Sequence, residues 1–228
     1  MSELLPLFLN LTGRAVVLVG GGPVATAKLR HLLAAGARVR VVAPEITEEI
    51  KGLVARGFQP GDSGRVTIVQ RRFVPADLDG AWLAVAAATP DVNRQVADAA
   101  ETQHLFVNAV DDPANASAFL SGVVRRDGVT VAISTSGDAP ALTALLREAL
   151  DAVLPQDLAA WVSRARAERA RWRHDGLPMA ERKPRLLRAL NEIYGRPEGL
   201  RDDHGAPEVV QDFSPAVPWL NGPEDSWL

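Results

Sequence analysis

The chain of 228 residues contains no cysteine. Disulfides, thiolate nucleophiles and zinc–thiolate sites are therefore excluded. No apolar run approaches the roughly 20 residues that a membrane span requires. The first residues, Met1-Ser-Glu-Leu-Leu-Pro-Leu7, carry an acid and no basic segment, so no secretory signal is expected and a cytoplasmic location is. A large excess of either charge is also missing. The formal net charge is −3, which gives no general attraction to nucleic acid or acidic membranes. There is no helix-turn-helix pattern and no basic reading segment, which argues against a transcriptional regulator. The histidines, His31, His104, His174 and His204, have no metal-ligand spacing, so no fixed metal site is expected.

What is present is ordinary for a globular protein: 47% apolar and 23% charged residues. The length suits one large domain or two small ones. The apolar run at 14–19 ends in glycines and reads as a buried parallel strand. Pro23 suits a first helical turn, and Gly36 stops that helix. Val24, Ala27, Leu29, Leu32 and Leu33 supply its expected apolar face. Further strands are expected at 39–43, 66–70, 82–88 and 105–110, with helices at 45–56 and 91–102. This alternation predicts a Rossmann-type parallel sheet. After Asp112-Pro113 the rhythm changes. Strand-like runs at 117–125 and 129–134 flank Arg126-Asp127-Gly128, a hairpin signal. Helices are expected at 140–153, about 156–174, and 179–194. The fold class is thus α/β: a Rossmann domain over 1–113, a small α+β region over 114–150, a helical domain over 151–195 and an irregular tail over 196–228.

Gly20-Gly21-Gly22-Pro23-Val24-Ala25 fits G-x-G-x-x-A. Gly20 permits the tight turn, Gly22 the approach of phosphates, and Ala25 close helix–strand packing. The loop follows a strand and opens a helix whose free N–H groups attract anions, so a dinucleotide is expected there. Ligands in such folds bind outside the carboxyl ends of the strands. That rule selects Gly20–Gly22, Pro44-Glu45, Ala88-Thr89-Pro90, and Asn108 through Asp111. Glu45 either bonds the ribose hydroxyls or opens the next helix, where acids are favoured. No arginine follows the second strand directly, which favours NAD over NADP. Asp111 either serves as a general base or, with Asp112, begins a turn before Pro113.

Five stretches resemble the precorrin-2 dehydrogenase family, which is also the dehydrogenase and ferrochelatase part of siroheme synthase. They are Leu5-Pro-Leu-Phe8; Val19-Gly-Gly-Gly-Pro-Val-Ala25 with Lys28; Trp82-Leu-Ala-Val-Ala-Ala87 with Thr89 and Asn93; Phe106-Val-Asn-Ala-Val-Asp111; and Val131-Ala-Ile-Ser-Thr-Ser-Gly-Asp-Ala-Pro140 leading into Leu145-Leu-Arg-Glu148. They lie in the family's order over about residues 3–155. The resemblance implies oxidation of precorrin-2 to sirohydrochlorin with NAD, metal insertion in some members, and a homodimer built through the central region. It places the catalytic aspartate at Asp111 and nucleotide contacts at Pro23-Val24 and Pro44-Glu45. The family often has an acid where Pro23 stands. Ser134-Thr135-Ser136-Gly137 replaces a Ser-Ser-Gly-Gly pattern, with Thr135 in place of a serine that is phosphorylated in some members.

A tetrapyrrole substrate carries many carboxylates, so cations and N–H donors are expected around it. Arg125, Arg126 and Arg147, the Ser134–Gly137 loop at a helix start, and Asn108 are the candidates. For the arginines the competing reading is a solvated surface or a dimer contact. Arg164, Arg166, Arg169, Arg171 and Arg173 are expected on a solvated helix face. The chain ends at Leu228 without a methyltransferase domain, so methylation is expected from another protein. The rival functions are a dehydrogenase for another substrate and an NAD-binding redox sensor.

Overall fold

A computed structural model describes residues 4–56 and 66–194. The expected tail over 196–228 lies outside the described residues. The chain forms two compact units, Met1–Val162 and Ser163–Leu228.

The first unit holds a five-stranded parallel sheet of β1 (Ala15–Val19), β2 (Arg38–Val42), β3 (Val66–Val69), β4 (Leu83–Ala86) and β5 (Val107–Ala109), in the order β3-β2-β1-β4-β5. Its apolar runs are buried on both faces, because side chains alternate across a strand and each face is covered by a helix. Val16, Leu18, Val39, Val41, Leu83 and Val85 meet Ala25, Leu29 and Leu32 of α1 (Pro23–Ala34) and Ile50 of α2 (Glu48–Arg56). Val17, Val19, Val42, Ala84, Ala86, Val107 and Ala109 meet Val96, Ala99 and Ala100 of α3 (Pro90–Thr102). Each fully buried aliphatic side chain contributes about 1.5–3 kcal/mol.

The face of α1 differs from expectation. Ala25, Thr26, Leu29 and Leu32 are buried, whereas Val24 is 47% exposed. Ala27 is exposed as well, because the buried stripe runs through Ala25, Leu29 and Leu32, and Val24 and Ala27 lie off it. α2 begins at Glu48 rather than at 45.

An ion pair between a half-exposed arginine and a buried carboxylate braces the crossing from β3 to β4. Arg71 grips Asp77 through two hydrogen bonds of 2.8 and 2.6 Å, the Val74 N–H donates to the same carboxylate, and Arg40 donates to the Asp77 carbonyl. Burial pushes the Asp77 carboxyl up, but the bonds from Arg71 and Val74 and the charges of Arg71 and Arg40 outweigh it and hold the group below its ordinary value. Its folded pKa is depressed, so its stabilisation is complete above the ordinary aspartate range and is lost as pH falls through that range toward the lower folded value. Asp77→Asn is expected to cost about 2 kcal/mol at pH 7. Denaturant titrations should show that gap closing as pH falls from 5 to 2.

Beyond β5 an antiparallel hairpin joins β6 (Gly122–Arg126) to β7 (Val129–Ile133). Asp127 and Gly128 both have positive φ, 50° and 86°. This is the two-residue turn expected from Asp-Gly. α4 (Pro140–Val153) packs on the hairpin. Arg126 donates to the carbonyls of Asp151 and Leu154 and pairs with the Asp151 carboxylate at 2.7 Å. That assigns Arg126 a structural role.

α5 (Leu158–His174) carries the chain into the second unit, which also holds α6 (Met179–Tyr194). Trp172, Leu177 and Ala189 are its buried apolar side chains among the described residues. Arg166, Arg169, Arg171 and Arg173 are exposed, as expected. Arg164 departs from the expected solvated face: it pairs with Glu192 at 2.6 Å and Glu168 at 3.2 Å and so ties α5 to α6.

Candidate dinucleotide and substrate site

The strand order reverses between β1 and β4. The loops after these strands open a crevice at the carboxyl edge. Two helices start there, α1 at Gly22-Pro23 and α3 at Thr89-Pro90, and neither has a side-chain cap. Their leading N–H groups therefore lack intrahelical partners. α3 carries Asp91 in its first turn, whereas α1 has no acid there. The partial positive charge at the start of α1 is thus left for an anion.

Each glycine in the loop has its own reason. Gly20 has φ 131°, and a Cβ there would overlap the Ala87 carbonyl. At Gly21 a Cβ would overlap the Glu45 carbonyl. These two are required by the protein's own backbone. At Gly22 nothing lies within 4 Å of a Cβ position, so the space above it is open. Gly22, the uncapped start of α1 and the exposed Val24 make a cradle that fits a pyrophosphate.

Pro44 and Glu45 are exposed beside this loop. Helix α2 starts at Glu48, with Glu48 and Glu49 in its first turn, so Glu45 does not open the helix. Thr89 is exposed, and its hydroxyl caps nothing. Its position is fixed by Asn93, 2% exposed, whose Oδ1 accepts the Ala88 N–H at 3.1 Å. The site expectations named neither Asn93 nor the buried Thr26. A polar residue on the core face of a helix is the signal for both.

Asp111 stands at the end of β5 with φ 55° and is exposed. Its carboxylate has no hydrogen bond or ion pair among the described residues. The turn-forming role belongs to its neighbour: the Asp112 carboxylate accepts from Asn115 Nδ2 at 2.8 Å and its carbonyl from the Asn115 N–H. Asp112 thus supplies bonds that hold the turn, and the Asp111 carboxylate takes no part in them.

The loop at 134–138 reaches this turn. A Cβ on Gly137 would lie 3.1 Å from the Pro113 ring and 3.6 Å from Phe119. Thr135 Oγ1 accepts the Ala139 N–H and pairs with Thr143 Oγ1 at 3.0 Å, so it holds the start of α4. Ser134 is exposed, with Oγ accepting the Ser136 N–H. Asn108 is buried; its Nδ2 donates to the Ala118 carbonyl at 2.9 Å and its Oδ1 has no partner among the described residues. Asn108 therefore ties β5 to the following segment through its Nδ2. Among the described residues Arg147 pairs only with its neighbour Glu148, at 3.5 Å. Arg125 is exposed on β6. Partial burial, then the charges of Lys28 and Arg125, holds His31 below its ordinary pKa, so Arg125 lies within charge range of α1. No hydrogen bond or ion pair joins Arg125 or Arg147 to the carboxyl edge among the described residues. No cluster of three or more metal-ligating side chains occurs there either.

Strand order, glycine loop and uncapped helix define a dinucleotide-binding α/β protein of the Rossmann class. The chain belongs to the NAD_binding_7 family, described as "Putative NAD(P)-binding", whose model matches residues 7–122. It is 41% identical over 218 residues to "Siroheme synthase 3" of Aeromonas hydrophila subsp. hydrophila, covering 93% of this chain and 45% of the relative. It is 41% identical over 181 residues to "Siroheme synthase 2" of Klebsiella pneumoniae subsp. pneumoniae, covering 78% of this chain and 38% of that relative. The chain thus spans less than half the length of these curated relatives. The solved structure of "SirC, precorrin-2 dehydrogenase" shares the fold, with a TM-score of 0.65 and 24% identity over 84% of this chain and 92% of that one. No helix among the described residues is long and apolar enough to cross a membrane.

Proposed function

We propose that the protein is an NAD-dependent dehydrogenase that oxidises precorrin-2 to sirohydrochlorin in the cytoplasm. The carrying observation is that an unpartnered carboxylate, Asp111, stands at the same sheet edge as the open glycine cradle, with the 134–138 loop packed against its turn. The names of the siroheme synthases and of SirC support the choice of substrate.

The cradle of Gly20, Gly21, Gly22, Pro23 and Val24 would hold the pyrophosphate, with Pro44, Glu45 and Thr89 bordering the nucleotide. Bound NAD⁺ supplies hydride acceptance. Oxidation removes one hydride and one proton from the reduced macrocycle. Asp111 takes the proton, or orients the pyrrole N–H beside the reacting carbon. Ser134, Thr135, Arg125 and Arg147 are the remaining candidates for the substrate's carboxylates; Thr135 contributes through the loop it holds. Metal insertion into sirohydrochlorin also releases two N–H protons, so the same carboxylate serves that step if it occurs. The test is anaerobic incubation with precorrin-2 and NAD⁺, following NADH absorbance and the tetrapyrrole spectrum. Absence of NADH formation rejects the dehydrogenase reading. Adding Fe²⁺ or Co²⁺ to sirohydrochlorin then measures chelatase activity.

The central region would pair two copies of the chain. α4 exposes Leu142, Leu145, Leu146, Leu150 and Val153, and the N-terminal segment exposes Leu5, Leu7 and Phe8. Such a contiguous apolar helix face is a usual mark of an interface. Leu145→Glu, at a residue 63% exposed, is expected to shift sedimentation from a dimer to a monomer. A wild-type chain that sediments as a monomer refutes the pairing.

A further inference from the structure

The loop after β2 is tied to the glycine loop by a run of hydroxyls whose direction can be counted. Thr26, 1% exposed, donates from Oγ1 to the Gly22 carbonyl at 2.9 Å. Such a bond to the residue four positions earlier is ordinary for threonine in a helix. The next link is not. Thr26 Oγ1 also meets Thr47 Oγ1 at 3.1 Å. A hydroxyl has one hydrogen, and Thr26 has spent its own on Gly22. Thr47 must therefore donate to Thr26. Thr47 Oγ1 in turn accepts the N–H of Ile50 at 3.3 Å, a residue sealed in the core. The run is Ile50 N–H to Thr47 O–H to Thr26 O–H to Gly22 C=O. A second tie runs beside it: the Thr47 N–H donates to the Gly21 carbonyl at 3.0 Å.

The second tie fixes where the Gly22 N–H points. In a planar trans peptide the C=O and N–H point in opposite directions, and the chain contains no cis peptide. The Gly21–Gly22 peptide has its C=O turned toward Thr47, so its N–H, on Gly22, points the other way. Gly22 is the residue with open space above it. Pro23 follows and has no N–H. The Gly22 N–H is therefore the leading donor at the mouth of α1.

We infer that Thr47 and Thr26 are positioning residues for the cofactor: their hydroxyl run seats the loop after β2 on the glycine loop, keeps the Thr47 N–H on the Gly21 carbonyl, and so aims the Gly22 N–H at the pyrophosphate. The inference rests on the proposed dinucleotide site and deepens it. The loops after β1 and β2 then move as one body, and bonds along the run polarise one another.

The test uses the shape-conserving variants Thr26→Val and Thr47→Val, the double variant and Thr26→Ser. NAD⁺ binding to the full chain is read by titration calorimetry, together with the melting temperature without NAD⁺. Each valine variant is expected to raise the Kd for NAD⁺ by about 5- to 10-fold, the loss of roughly one net hydrogen bond. The double variant should be no weaker than the weaker single one by more than about twofold, because both break one run. Thr26→Ser should return the Kd to within about twofold of wild type. Unchanged Kd values in both valine variants, multiplying losses, or a loss that serine does not restore overturn the inference. A wild-type chain that fails to bind NAD⁺ overturns the cofactor reading itself, a result distinct from each of these.

Discussion

Asp111→Asn is expected to lower turnover of precorrin-2 by about 10²- to 10⁴-fold, the range for loss of a positioned acid–base group, while NAD⁺ still binds with its wild-type Kd. The choice of asparagine follows from the backbone. Asp111 has φ 55°, a left-handed conformation that aspartate and asparagine tolerate better than other side chains with a Cβ. Asparagine therefore removes the charge and keeps the fold of the turn. Alanine would mix that loss with backbone strain of about 1–2 kcal/mol. The local turn is held by Asp112 and Asn115, so the melting temperature should stay within about 2 °C of wild type, as expected of a surface change of at most about 0.5 kcal/mol. The measurement pairs initial rates of NADH formation with calorimetric NAD⁺ binding. An Asp111→Asn enzyme within a few-fold of wild-type activity sinks the catalytic role. Loss of NAD⁺ binding together with activity would instead make Asp111 part of the cofactor site. Under the redox-sensor reading, neither quantity changes much.

The second large effect separates the three glycines. Gly22 has φ −83°, which any residue adopts, and open space where a Cβ would go. Gly22→Ala should fold normally and keep its melting temperature. Its methyl group would occupy the place where the pyrophosphate must approach, so NAD⁺ binding should fall by more than about 10-fold, the equivalent of 1.4 kcal/mol. Gly20→Ala should do the opposite. Its Cβ would overlap the Ala87 carbonyl at a φ of 131°. Overpacking and strain together should cost about 3 kcal/mol or more, lowering the melting temperature by about 10 °C. If Gly22→Ala binds NAD⁺ like wild type, the cradle is not the pyrophosphate site. If Gly20→Ala melts like wild type, the loop is looser than its contacts imply.

Such contrasts cannot be read from the glycine pattern alone. The motif G-x-G-x-x-A marks Gly20, Gly22 and Ala25 by their place between a strand and a helix, and the structure puts Ala25 in the core with Gly20 at the turn. It says nothing of Gly21, whose constraint comes from Glu45, a residue on the next loop. Glu45 itself shows the reverse case. Composition offered it two roles, and only the start of α2 at Glu48 removes one of them. The arginines divide in the same way. The Asp-Gly turn is local and was legible, but the carbonyls that hold Arg126 lie 25 and 28 residues away.

The sequence by itself determined the order of strands and helices, the glycine loop, the hairpin turn and the position of Asp111 at a strand end. Those features depend on periodicity and on backbone preferences within a few residues. Only the tertiary structure decided the strand order β3-β2-β1-β4-β5, the approach of Gly137 to Pro113, the burial of Asn108, the bonding of Asp112 rather than Asp111 to Asn115, and the run from Thr47 through Thr26 to Gly22. Several of these join residues far apart in the chain, and the last three hinge on where a polar group finds its partner. A threonine or asparagine carries no periodic signal of that partner. Its role appears when folding removes water and leaves each polar group to the neighbours the fold provides.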